Sequence, residues 1–171
     1  MTGPSNVSDV VKLSGGKLVG KTRLQKSVYF LEVFNIGFGF KFTYHHYGPY
    51  SEELESCAED AAALHLIGID WGYTQDGAKY AVFHDTQSNR SIEGGAVNAI
   101  RRDILHILEQ YSAVELELAA TTDYLFRHGY SNDPWAETRR RKSGKVTDAR
   151  MGRASQLLTE LWAKAEHYRS A

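Results

Sequence analysis

What most constrains this chain is how its hydrophobic period changes from segment to segment. From Lys21 to Ile36 the residues Leu24, Val28, Leu31 and Phe34 recur at three- and four-residue steps, with Tyr29, Phe30 and Val33 widening the stripe. That spacing predicts a core-facing helix, stopped at Gly37 and Gly39. From Phe40 to Tyr47 the period falls to two, with Phe40, Phe42, Tyr44 and His46 on one face, which predicts a strand. Gly48-Pro49 is expected to break it. Ser51 then stands where an N-cap belongs, and Glu52 and Glu53 suit the positive end of a helix. That helix is expected to run to about Leu66, with Leu54, Cys57 or Ala58, Ala61 and Leu64 inward.

Two more alternating runs follow, Ile69-Trp71-Tyr73 and Tyr80-Val82-His84, joined by the hairpin signal Gln75-Asp76-Gly77. With the strand at 40–47 they predict a three-stranded antiparallel sheet. Thr86 to Gly95 is polar and reads as a connector. Beyond it the period is helical: Val97, Ile100, Ile104, Leu108 and Tyr111 form one stripe. Ser112 and Glu115 have capping-box spacing ahead of Val114, Leu118, Leu125 and Phe126. Asp133-Pro134 suits an N-cap and first helical position, and Thr147 or Asp148 opens a last helix. Upstream, Val7 to Leu13 reads as one or two helical turns stopped at Ser14-Gly15-Gly16. The expected fold class is therefore α+β: an N-terminal part over 1–85 with the small sheet, and a helical layer over 96–171. At 171 residues the chain fits one domain over 1–171.

Twenty Lys and Arg against 21 Asp and Glu leave a net charge of -1, so no global field recruits nucleic acid or an anionic membrane. The lone Cys57 allows no internal disulfide, and no apolar run is long enough to span a bilayer. With no signal-peptide pattern at the N-terminus, the expected location is cytoplasmic. The charge is nonetheless blocked. Lys12, Lys17, Lys21, Arg23 and Lys26 occur with no acid between them, and Glu52, Glu53, Glu55, Glu59 and Asp60 with no cation. Arg127 to Arg153 holds eight cations against three acids. These blocks either pair across the fold as solvated faces or contact a charged partner.

Gly15 to Thr22 formally matches the phosphate-loop pattern G-x-x-x-x-G-K-[ST], in which backbone amides and a lysine hold phosphates. The stretch before it, Val10-Val11-Lys12-Leu13, is short and charged, and the chain does not alternate strands and helices as a parallel sheet requires. A magnesium-dependent NTPase is thus the third reading of function. None of the seven histidines has a partner at zinc-ligand spacing, and neither metal nor cofactor is expected. Cys57 sits among acids that would blunt a thiolate and reads as a small core residue.

Two segments stand out. Tyr44-His45-His46-Tyr47-Gly48-Pro49-Tyr50-Ser51 packs aromatic rings around a turn, either as a core edge or as a contact patch built on Tyr47 and Tyr50. Trp135 precedes Arg139-Arg140-Arg141-Lys142 and Lys145, with no acid between Thr138 and Thr147. This run could complement a helix C-terminus or grip phosphates or carboxylates. The candidate partner-binding residues are accordingly Trp135, Arg139, Arg140, Arg141, Lys142, Tyr47 and Tyr50.

Gly20-Lys21-Thr22-Arg23-Leu24-Gln25-Lys26 with Val28-Tyr29-Phe30-Leu31, then Tyr47-Gly48-Pro49-Tyr50-Ser51-Glu52-Glu53-Leu54, resemble the YwgA-like family of uncharacterised bacterial proteins. The broader Panacea, or SocA-type, antitoxin domains are similar. Trp135 to Arg140 is a weaker match. The resemblance implies a helix-rich domain with winged-helix-like features and no known catalytic residues. It also implies a non-enzymatic, protein-binding role in a toxin–antitoxin, defence or mobile-element system. The alternative is a nucleic-acid-binding winged-helix regulator using Lys17, Lys21, Arg23, Lys26 and the run from Arg139 to Lys145. The acids of the Ser51–Leu66 helix would be repelled by a phosphate backbone, so nucleic-acid binding is expected to be weak.

Overall fold

A computed structural model describes residues 1–170. The elements follow in the order α1 (Pro4–Leu13), β1 (Lys17–Val19), α2 (Lys21–Val33), β2 (Thr43–His45), β3 (Gly48–Tyr50), α3 (Glu52–Ala63), β4 (Ile67–Tyr73) and β5 (Lys79–Asp85). Four helices complete the chain: α4 (Ala96–Glu109), α5 (Ala113–Arg127), α6 (Pro134–Arg141) and α7 (Asp148–Ser170). The architecture is α+β, as the periods predict. No helix among the described residues is long and apolar enough to cross a membrane.

The helix starts lie where the capping residues stand. The Ser51 hydroxyl accepts the Leu54 N–H, and Ser112 and Glu115 form a reciprocal capping box. The Asp133 carboxylate accepts the Ala136 N–H ahead of Pro134 at the first helical position. Each satisfies backbone donors that the first turn leaves free. Leu64, expected inward, is exposed, as are Val97 of the α4 stripe and the apolar Phe126 of α5.

The sheet has three antiparallel strands in the order β1-β5-β4. Its third strand is not the expected stretch at 40–47 but Lys17–Val19, inside the phosphate-loop match. Residues 40–47 contribute only Thr43–His45, because two other interactions claim the backbone on either side. The Glu32 carboxylate accepts the N–H groups of Phe38, Gly39 and Phe40. Gly48–Tyr50, expected only as a breaker, doubles back and pairs with 43–45 as a separate two-stranded hairpin.

Along the β4–β5 register Ile67, Ile69 and Trp71 face the same side as Asp85, Phe83 and Ala81. Ile67, Phe83 and Ala81 are buried, as is Leu18 of β1 opposite Phe83, so this is the core-facing side. One continuous core runs from Val7 of α1 through Phe30 of α2 and Leu116 of α5 to Leu161 of α7. Helix α5 lies within it, with buried residues around nearly its whole girth.

Candidate functional site

The two segments that carry the family resemblance meet. On α2 the Gln25 amide donates to the Ser51 carbonyl and accepts the Ser51 N–H, both at 2.9 Å. Lys26 donates to the Pro49 carbonyl at 2.7 Å. Both side chains are buried. Pro49 offers no N–H, so these bonds, rather than a further strand, satisfy the outer edge of β3.

Beneath this turn lies a cluster of buried charge. Glu117 of α5 is ion-paired with Lys142 at 2.9 Å and with Lys145 at 2.7 Å. Lys142 also donates to the His46 carbonyl. Lys145 sits 4.6 Å from the centroid of the Tyr47 ring, and Arg141 lies 4.7 Å from that of Tyr44. The aromatic turn and the basic run, singled out separately in the sequence, are therefore each other's partners.

Burial pushes the Lys26 ammonium pKa down to about 7, with Glu117 opposing and Lys142 and Lys145 assisting. Between about pH 7 and its ordinary value the unfolded chain holds a proton at Lys26 that the folded chain sheds. Stability from this group should therefore rise with pH across that window. We expect the parent to gain on a Lys26→Met variant by up to about 1.4 kcal/mol per pH unit above neutrality. Thermal or urea melts of both proteins between pH 7 and 9 check it, and a constant difference between them would contradict it.

Beside the turn is a cleft of about 280 Å³ between α2, α3 and the β4–β5 hairpin. Leu24, Ala58, Ile69 and Phe83 line it with apolar surface; Lys21, Thr22, Gln25, Lys26, Tyr47, Tyr50, Glu55, Glu59 and Trp71 complete its lining. Tyr50 is half-buried, and its phenol is pushed up by burial first and then by Glu55, Glu52 and Glu59. Lys21 reaches Glu55 at 3.4 Å. Trp71 and Tyr73, on the core-facing side of β4 but beyond the helices that cover the rest of it, are 49% and 67% exposed. Lys79 lies 3.9 Å over the Trp71 ring.

The expected partner residues separate. Tyr47 is exposed and Tyr50 lines the cleft. Arg139 and Arg140 are exposed, although Arg140 pairs with Glu137 one turn back. Arg141 is half-buried on Glu137 and Tyr44. Lys142 is corrected outright: only 6% exposed, it is a buried partner of Glu117 and is not available to another molecule. The acid that neutralises Lys142 and Lys145 lies on α5, distant in sequence, while Asp148 lies 3.6 Å from Arg139. Trp135 is half-buried against the core, in a groove with Trp162 and Leu158.

The phosphate-loop match does not form a loop. Gly16 and Gly20 frame a strand whose backbone pairs with β5, and the Gly20 N–H donates to Ala81. Those amides serve the sheet and do not surround an anion. The first basic block is largely used within the fold: Arg23 donates to the Leu108 and Tyr111 carbonyls, Lys12 pairs with Asp85, and Lys26 is buried. Burial pushes the Cys57 thiol up, with Glu53 and Asp60 adding to it. Sequence reading missed Trp71 and Glu117. The first was one of several aromatics in a strand, and the second a lone acid in a helix, with nothing local to mark it.

Fold and site together define a small α+β domain with a side-chain-sized apolar cleft beside an acidic helix. Over 52 residues the chain is 39% identical to the uncharacterized protein YwgA of Bacillus subtilis, a stretch covering 30% of this chain and 31% of YwgA. The matched stretch is less than a third of either protein. No protein-family model and no solved structure matches the chain.

Proposed function

We propose that the chain is a non-enzymatic protein-binding module, antitoxin-like or regulatory, acting in the cytoplasm beside a bacterial toxin–antitoxin, defence or mobile-element system. The observation that carries this reading is the cleft with its exposed Trp71, and with Tyr47 and Tyr50 on its wall. Aromatic side chains around a small apolar recess are the usual anchors of a protein interface. The resemblance to Panacea domains, which neutralise toxins by binding them, supports the same role. Arg139 and Arg140 remain exposed, with Arg140 beside Tyr44, His45 and His46 rather than at the cleft.

A second reading is a nucleic-acid regulator. The order α1-β1-α2-α3-β4-β5, with β1 beside β5, supports this reading, since a winged helix with the β2–β3 hairpin inserted would have it. In that scheme α3 takes the place of the recognition helix. Its five acids oppose a phosphate backbone, and the cations of the first block are mostly spent inside the fold.

The test is co-expression with the product of the neighbouring reading frame, followed by titration of the purified pair. We expect a complex that Trp71→Ala weakens by about tenfold or more. Duplex DNA should bind weakly and lose affinity steeply between 50 and 200 mM salt. Sequence-selective nanomolar DNA binding at physiological salt would overturn the protein-binding reading in favour of the regulator.

A further inference from the structure

We infer that the cleft between α2, α3 and the β4–β5 hairpin holds a basic linear segment of a partner protein by a single apolar side chain. This rests on the protein-binding reading above and specifies its partner. The space, about 280 Å³, lies just below the range of cofactor and drug-sized pockets. Leu24, Ala58, Ile69 and Phe83 make its interior mainly apolar, and the Gln25 and Lys26 side chains that also line it are bonded to the Pro49–Ser51 backbone, so the space suits one large apolar side chain.

The surroundings select the flanks of that segment. Glu52 and Glu59 of α3 form no ion pair among the described residues, and Glu55 meets Lys21 and the Tyr50 hydroxyl. Any anion approaching the mouth faces this row of carboxylates, which excludes nucleic acid and acidic peptides on the same physical ground. A Lys or Arg beside the apolar anchor would meet them favourably. The opposite wall is suited to cations too: Lys79 already lies on the Trp71 ring, and an arginine stacks on such faces more readily than a lysine does. Unpaired carboxylates on one side and an exposed aromatic wall on the other thus fit the same chemistry.

A random peptide library displayed on phage, panned against the full chain, tests this directly. Enriched peptides should carry one Leu, Met, Phe or Trp flanked by two or more Lys or Arg. A synthetic representative should lose about tenfold or more in affinity to both the Trp71→Ala and the Glu59→Lys variants, and should weaken with salt. Both positions are solvent-accessible, so melting curves matching the parent's will show that the variants fold. Acidic or uncharged consensus peptides, or peptides that bind both variants as well as the parent, would overturn the inference. So would no enrichment at all. A consensus copying Trp135 to Lys145 of this chain would overturn it in favour of a second copy as occupant. Peptides mapping to another surface would remove this cleft and leave protein binding standing. Protein binding itself falls if the co-expressed partner fails to associate, or if the chain binds DNA selectively at nanomolar concentration.

Discussion

Replacing Glu117 by Gln should lower the melting temperature by about 10 °C. Glu117 is 3% exposed and its carboxylate meets the ammonium groups of Lys142 and Lys145, with Lys26 nearby. Lys142 is equally deep, and its remaining acceptor is the His46 carbonyl. An amide keeps the shape of the acid but removes the charge that permits these cations to be buried. Removing one partner of a buried pair costs about 3–5 kcal/mol, and a domain of this size loses about 2–4 °C per kcal/mol. The loss comes from the stranded cation more than from the vanished attraction. A Glu117→Gln/Lys142→Met double variant should therefore recover much of it, since an apolar side chain of similar length leaves one less charge to solvate. A single variant melting within two degrees of the parent would show that water or rearrangement already screens the cluster.

Gly48→Ala is expected to cost about 2–5 kcal/mol, for two separable reasons. Gly48 has φ of +82°, where a side chain costs about 1–2 kcal/mol. A Cβ there would also fall 2.4 Å from Oγ1 of Thr121, a fully buried residue of α5. Gly77 separates the two contributions. Its φ is +85°, but nothing lies within 4 Å of its added Cβ, so Gly77→Ala should show the backbone cost alone. Adding Thr121→Ala to Gly48→Ala should recover only the steric part. Denaturant melts of the four proteins give each difference. Equal losses for Gly48→Ala and Gly77→Ala would mean that α5 yields to the extra methyl group.

These two positions also show how far local reading reaches. Ser51, Ser112 and Asp133 marked helix starts because a cap bonds to a backbone N–H within its own first turn. Asp76-Gly77 marked the hairpin because a tight turn is a local conformational demand. The α2 stripe was legible because period and burial coincide over a long segment. The alternation over 40–47 predicts a longer strand than forms, because the Glu32 carboxylate and the return of Gly48–Tyr50 shorten it. Lys17–Val19 gave no sign of being the third strand, since three residues carry too little period to register.

The same division holds for the candidate site. The sequence by itself determined the helix order, the hairpin, the acidic face of α3 and the α+β class, because caps, turns and periods act between residues close along the chain. It also marked the aromatic turn and the basic run as unusual. That these two touch, that Glu117 from α5 neutralises Lys142 and Lys145, and that Gln25 and Lys26 hold the Gly48–Ser51 backbone were decided only in the tertiary structure. So was the cleft, whose walls come from α2, α3 and the β4–β5 hairpin. The physical reason is that ion pairing and burial depend on distance in space. Residues as far apart as His46 and Lys142 share an environment only once the core has closed around them.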